Sequence, residues 1–244
     1  MPRTDYPILR CYVQLTRHDM ASTTNGPPPR YTMPFTRVEI AVMSLIDGEL
    51  QVLLARRAEA PHAGKWALPG GVLRIDLDRS LEAAAQRVMR ERLGVELPFL
   101  RQLASVGGPT RDPRAPWALS VIYRALVRAE SVQVSPGKRI EALAWRPAET
   151  AAAGALAFDH DQLVAQAVEV TRREIDRLEF PFEFLPEQFT LGELQSTCEQ
   201  FLGRRLDKSS FRRRVADRDL VEPVAGAFRG GANRPAQLFR PKHI

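Results

Sequence analysis

The stretch GGVLRIDLDRSLEAAAQRVMRERLGV, residues 70–95, decides how this chain folds. It opens on the pair Gly70-Gly71, crosses a polar insert from Arg74 to Asp78, and then becomes amphipathic. Ser80 suits a helix N-cap, because its hydroxyl accepts a hydrogen bond from an otherwise unpaired N–H of the first turn. Gly94 suits the stop, because glycine enters the left-handed conformation that closes a helix without steric cost. Between them Leu81, Ala84, Ala85, Val88, Met89 and Leu93 recur at helical spacing, which predicts one helix with one buried face.

Working outward, the flanking segments read as strands. Val38–Met43 and Leu50–Ala55 are apolar runs joined through Asp47-Gly48, a strong hairpin signal. The segment PHAGKWALPGG, Pro61–Gly71, is loop. Downstream, Phe99–Val106 and Leu119–Leu126 read as strands around a turn-rich insert, Gly107–Trp117, with a shorter strand at Leu143–Trp145. His160–Leu178 is helical, with Leu163, Val164, Ala167, Val170 and Ile175 on its apolar face, and it ends at a Phe/Pro cluster, Phe180–Pro186. We read that cluster as a domain boundary.

A second unit follows. Thr190 with Glu193 three residues on has capping-box spacing and opens a helix that Gly203 ends. Asp207 caps the next helix, Lys208 to about Asp219, after only a short turn. Leu220–Val224 and Ala236–Arg240 then read as two short strands around a loop, Gly226–Pro235. Two helices joined by a tight turn and followed by a hairpin outline a winged helix-turn-helix.

Charge places the partner of that unit. The chain has 244 residues, 35 basic and 29 acidic, for a net charge of +6. From Arg204 to Ile244 there are eleven basic and four acidic residues, so the whole surplus lies at the C-terminus. Lys208, Ser209, Ser210, Arg212, Arg213 and Arg214 fall in the first two turns of the second helix, while Phe211 and Val215 are spaced to face the core. In helix-turn-helix proteins that end of the second helix meets base edges in the major groove. Arginine suits the task because its fork bonds O6 and N7 of guanine together. Arg229 and Arg234 extend the basic surface onto the wing. The expected partner is double-stranded operator DNA; few aromatics interleave with the arginines, which argues against single-stranded RNA.

Other features exclude classes. At 44% hydrophobic and 26% charged the composition is that of a globular protein, and no apolar run is long enough to span a bilayer. Cys11 and Cys198 make neither a disulfide framework nor a zinc site, so a reducing, cytoplasmic compartment is expected. Arg10 and Arg17 interrupt the only apolar stretch near the N-terminus, and Ala21–Arg30 reads as a flexible lead-in.

Gly70-Gly71, the helix after them and Gly94-Val95 resemble the Nudix box. Anchored on Arg87 and Gly94, the alignment puts Met89 and Val95 on aliphatic positions and Glu91 on the first of the paired glutamates. The other three glutamate positions hold Arg79, Val88 and Arg92, and Gly71 fits only if two residues are inserted within Arg74–Asp78. In Nudix hydrolases the glutamates hold divalent cations against a diphosphate, since magnesium and manganese take oxygen ligands. An intact box carries a net −3; Arg79, Arg87, Glu91 and Arg92 carry +2. The expectation is a domain that does not hydrolyse and needs no cofactor, a divalent metal entering only with residual hydrolase activity. Asp76 and Asp78 are the substitute metal ligands the insert offers.

The resemblance extends further. PHAGKWALPGG, RDPR (Arg111–Arg114), AFDH (Ala157–His160), LPEQFTLGELQ (Leu185–Gln195), LDKSSFRRRV (Leu206–Val215) and RPAQLFR (Arg234–Arg240) are similar to the Nudix-related transcriptional regulators. That family implies an α+β Nudix-like mixed sheet and helix sandwich followed by a winged helix-turn-helix. On this chain it implies a flexible segment at 1–34, a sensing domain at 35–156, a linker helix at 157–180 and a winged helix at 181–244. It implies a homodimeric repressor linked to NAD metabolism, released from operator DNA by ADP-ribose or a related nucleotide; relatives sense other molecules, sugars included. By position its ligand site would draw on Arg56, Arg57, Lys65, Trp66, Gly70, Gly71, Arg87, Glu91, Arg111, Asp112 and Arg114. Arginines clamp phosphates; Trp66 either stacks on a base or is an ordinary core tryptophan. The alternative is an active hydrolase of ADP-ribose-like diphosphates carrying an auxiliary DNA-binding module.

Overall fold

The computed structural model describes residues 33–97, 100–230 and 235–242. The proposed N-terminal lead-in and Arg234 lie outside the described residues. The first strand, β1 (Phe35–Ile46), turns through Asp47 and Gly48, at φ of 52° and 77°, into antiparallel β2 (Glu49–Arg57). Left-handed φ at both central residues matches the twist of a two-residue hairpin. Two short strands follow, β3 (Trp66–Ala67) on β2 and β4 (Gly70–Val72) on β1. Helix α1 (Leu81–Leu93) comes next, then β5 (Arg101–Gly108) and β6 (Ala118–Leu126). Strand β7 (Ile140–Pro147) runs on into α2 (Ala148–Ala153), and α3 (His160–Asp176) follows. Among the described residues one mixed sheet takes the order β3-β2-β1-β6-β5, with β4 on β1 and β7 on β2; only β1 and β6 are parallel.

The helix read from residues 80–93 forms as expected. Ser80 Oγ accepts from Ala83 N–H at 3.1 Å, and Gly94, at φ 70°, donates to Arg90 O. Its apolar face packs on one side of β1 with Val38, Ile40 and Val42, while Ala41 and Met43 face α2 and α3 on the other. Burying both faces of β1 explains the apolar run from Ile40 to Met43. The buried face of α3 includes Val168 and Thr171, leaving Val170 half-exposed, a shift of the predicted stripe by part of a turn.

Beyond α3 the chain forms β8 (Phe189–Thr190), α4 (Leu191–Leu202), α5 (Lys208–Arg218), β9 (Val221–Arg229) and β10 (Ala236–Pro241). The capping box closes both ways: Glu193 N–H donates to Thr190 Oγ1, and Thr190 N–H donates to Glu193 Oε2. Phe211 and Val215 are each 2% exposed and seat α5 in the core. The wing differs from expectation. Strand β9 runs to Arg229, because Gly226 at φ 69° lets it bend while Gln237 Nε2 donates to the carbonyls of Val224 and Ala227. No helix among the described residues is long and apolar enough to cross a membrane.

Candidate ligand cleft and nucleic-acid interface

Between β2, β4, the end of α1 and the start of β7 lies an open cleft. Arg37, Arg56, Arg57, Arg92, Arg114 and Arg139 line it, with Glu59 the lone carboxylate of the lining. Four of these cations have carboxylate partners: Arg37 with Glu39 at 2.8 Å, Arg114 with Asp112 at 2.5 Å, Arg139 with Glu59 at 3.1 Å and Arg56 with Glu141 at 3.3 Å. Arg57 and Arg92 do not pair with any carboxylate among the described residues. Arg57 Nε donates to Pro61 O at 2.7 Å and Arg92 Nε to Gly70 O at 3.1 Å. Burial, and then the neighbouring guanidiniums, push both below the usual arginine range. Crowded cations of this kind favour an anion.

Of the residues expected from sequence, Arg56, Arg57, Gly70 and Arg114 reach this cleft. The others go elsewhere, each for a visible reason. Trp66 is half-buried against the α3 side of the sheet beneath Arg146, whose guanidinium lies 5.3 Å from the ring, so it serves the core. Lys65 is exposed on the loop and does not line the cleft. A Cβ on Gly71 would come within 2.7 Å of Val88, so this glycine permits close packing of β4 on α1. Arg87 is bound by Asp78 through two hydrogen bonds of 2.7 Å and lies 3.3 Å from Glu91, outside the cleft. That arrangement holds Asp78, while the exposed Asp76 lies 2.9 Å from Arg74. Arg111 is 7% exposed and pairs with Asp159 and Glu39 behind the cleft, while Asp112, 2% exposed, orients Arg114.

Sequence reasoning missed Arg37, Arg92 and Arg139 as lining residues. Arg92 carried a signal, since it stands where the box expects glutamate. Phe158 was also missed. Its ring lies 5.0 Å from the Arg57 guanidinium, 5.7 Å from that of Arg37 and 6.0 Å from that of Arg114, at a backbone φ of 59°. For a bulky side chain this left-handed conformation is a strained one.

On α5, Lys208, Ser209, Ser210, Arg212 and Arg213 are exposed, with Asp207 Oδ1 accepting from Ser210 N–H at 2.8 Å. Arg214 departs from the expected surface: it is half-buried and donates to Asp176 O at the end of α3. Arg229 is also engaged, pairing with Glu193 and donating to Gln188 O at 3.1 Å. The exposed set is thus the face of one helix, and the wing arginine braces the start of α4.

Residues 35–167 match the NUDIX domain family, and residues 181–240 match the NrtR DNA-binding winged helix domain family. The chain belongs to the NrtR-type Nudix-related transcriptional regulators. It is 38% identical over 212 residues to the ADPR responsive transcriptional repressor NtrR of Acinetobacter baylyi, covering 86% of this chain and 83% of that protein. The crystal structure of Shewanella oneidensis NrtR complexed with a 27mer DNA is 36% identical with a TM-score of 0.68, covering 85% of this chain and 93% of that one. The NUDIX domain of the same Shewanella protein, in cocrystal with ADP ribose, is 33% identical with a TM-score of 0.54, covering 60% of this chain and 94% of that one. In this chain the arginine cleft lies in the part that matches the NUDIX domain and the exposed basic helix in the part that matches the winged helix.

Proposed function

We propose that this NrtR-type protein is a transcriptional repressor, acting as a homodimer, whose Nudix-like domain senses ADP-ribose or a related nucleotide without hydrolysing it. The observation that carries the sensing function is the pair Arg57 and Arg92, half-buried guanidiniums without a carboxylate partner in a cleft lined by four more arginines. A diphosphate supplies the missing negative charge, and paired guanidiniums grip its oxygens in two-pronged fashion. The Shewanella cocrystal with ADP ribose and the name of the Acinetobacter repressor support that ligand class.

The residues do not fit a divalent cation. At the box positions Arg79, Arg87 and Arg92 outnumber Glu91, and Asp78 is held by Arg87. Two like charges 4 Å apart repel by roughly 4 kcal/mol at an effective dielectric near 20, so these cations disfavour a metal. Arg92 brings its own positive charge to the cleft. The test is calorimetric titration of ADP-ribose into the protein in EDTA, with a separate assay for AMP formation in magnesium or manganese. Binding without metal and no AMP is expected. AMP formation abolished by Glu91→Gln would overturn the non-catalytic reading.

On the DNA side, the exposed N-terminal half of α5 supports major-groove docking, with Arg212 and Arg213 reading base edges and Lys208, Ser209 and Ser210 holding phosphates.

A further inference from the structure

Behind the cleft, Glu39 lies in the middle of the apolar strand β1 and is 1% exposed. Arg37 Nε donates to its Oε1 at 2.8 Å. Two further neighbours stop short of hydrogen bonding: Arg111 Nη2 is 3.6 Å from Oε2, and His160 Nε2 is 3.8 Å from Oε1. Arg111 also lies 3.1 Å from Asp159 Oδ1, without hydrogen-bond geometry. Leu68 N–H donates to His160 Nδ1 at 2.9 Å. Burial depresses the imidazole to about 4, so it is neutral and its proton sits on Nε2, facing Glu39.

Glu39 Oε2, Arg111 Nε and Nη2, Asp159 Oδ1, His160 Nε2 and Ser120 Oγ are therefore all buried without a hydrogen-bond partner. Buried polar atoms are ordinarily paired, because a bare one keeps its full desolvation penalty. Here the spare hydrogen-bonding capacity is gathered around two carboxylates, Glu39 and Asp159, that share Arg111.

The location gives this arrangement a use. A Cβ on Gly70, in the cleft lining, would fall 2.9 Å from Glu39 Cγ, so that lining rests on the Glu39 side chain. Arg37 both lines the cleft and holds Glu39 through its Nε. On the opposite side, Phe158, Asp159 and His160 are consecutive residues leading into α3, and each touches a different member of the group. The far end of α3 reaches the winged helix: Arg214 donates to Asp176 O, Arg204 to Asp176 Oδ1 at 2.6 Å, and Arg172 to Phe201 O at 3.3 Å.

We propose that Glu39 is a positioning residue that passes occupancy of the cleft to α3 and so to the reading helix. The proposal rests on the reading that an anion enters the cleft. That anion competes with Glu39 for the Arg37 guanidinium. Glu39 then turns its carboxylate onto Arg111 and His160, whose donors lie within 4 Å of it, and Arg111 leaves Asp159. The start of α3 is re-seated, and the helix carries the shift to Asp176. Two sets of partners for the same buried groups make the two-state element that coupling between distant sites requires.

The test uses the full chain with Glu39→Gln and His160→Asn, the latter keeping an acceptor for Leu68 N–H while removing Nε2. Calorimetry measures ADP-ribose affinity, and fluorescence anisotropy measures operator affinity with and without saturating ADP-ribose. His160→Asn is expected to bind ADP-ribose alone and operator alone within about threefold of the unaltered protein, and Glu39→Gln, which no longer competes for Arg37, to bind ADP-ribose at least as tightly, while in both the ligand's effect on operator affinity shrinks by about tenfold or more. An unchanged ligand effect in both variants overturns the proposal and makes the cluster purely structural. If the unaltered protein does not bind ADP-ribose, the ligand reading fails first and the proposal falls with it. Should Glu39→Gln not fold, Asp159→Asn, at the edge of the cluster, reads the same coupling with the same two outcomes.

Discussion

On α5, Arg212 and Arg213 stand in solvent on one face of a helix, whereas in the cleft Arg57 and Arg92 are half-buried and fixed by backbone carbonyls. The same guanidinium serves opposite ends. An exposed row of mobile cations suits a long polyanion, whose counterions it displaces, and its affinity falls steeply with salt. A cluster held rigid and partly dry suits one small anion of matching shape, and salt screens it less. Where the cations sit, more than how many there are, separates the reading head from the sensor.

The largest effect should come from the cleft. Arg57→Ala or Arg92→Ala removes charge-assisted hydrogen bonds of about 1.5–3 kcal/mol, lowering ADP-ribose affinity by roughly 10–150-fold while operator affinity stays unchanged. Calorimetry and anisotropy on the same preparations check both halves. Equal losses in the two assays would erase the distinction between the regions.

Next comes the fully buried His160. Its folded pKa, about 4, lies below the 6.5 of an ordinary histidine, so the unfolded chain takes up this proton first as pH falls. Stability contributed by the neutral ring is present above pH 6.5 and is lost progressively between pH 6.5 and 4, by about 3 kcal/mol in all. His160→Asn should flatten that part of the acid limb in urea unfolding measured across this range. A parallel acid limb in the variant would locate the titration elsewhere.

On the reading helix, Arg212→Ala or Arg213→Ala should each cost about 1–3 kcal/mol on the correct operator, with no change in ADP-ribose binding. A base-reading residue also relaxes sequence preference at one position; equal losses on all sequences would make it a phosphate contact. The smallest effect is assigned to Arg214→Ala. Because Arg214 donates to Asp176 O, its loss should lower the melting temperature through about 1 kcal/mol of stability and alter DNA affinity less than its neighbours do.

These contrasts also show what a linear sequence reveals. The helix between Ser80 and Gly94, the Asp47-Gly48 hairpin and the Thr190–Glu193 capping box were legible because each depends on residues a few positions apart. The extension of β9 to Arg229 was hidden, since Gly226 reads as loop until Gln237 from the facing strand satisfies its neighbours. For the cleft, spacing identified arginines near the glycine pair but not the side of the sheet each would face. Trp66 and Arg111 lie next to lining segments and point away, while Arg37, Arg92 and Arg139 come from three distant elements and converge. Arg37 and Glu39, the two charged residues of β1, drew no reading from sequence, because their burial depends on the elements that pack over the strand.

In the proposed mechanism an arginine cleft senses a nucleotide diphosphate without metal and without cutting it, and thereby releases DNA. Its most direct test is the anisotropy of a fluorescent operator bound to the full-length protein, titrated with ADP-ribose in EDTA. Release is expected at ligand concentrations that match the calorimetric affinity, with all ADP-ribose recovered intact. Release that requires added magnesium and keeps pace with AMP formation would contradict it.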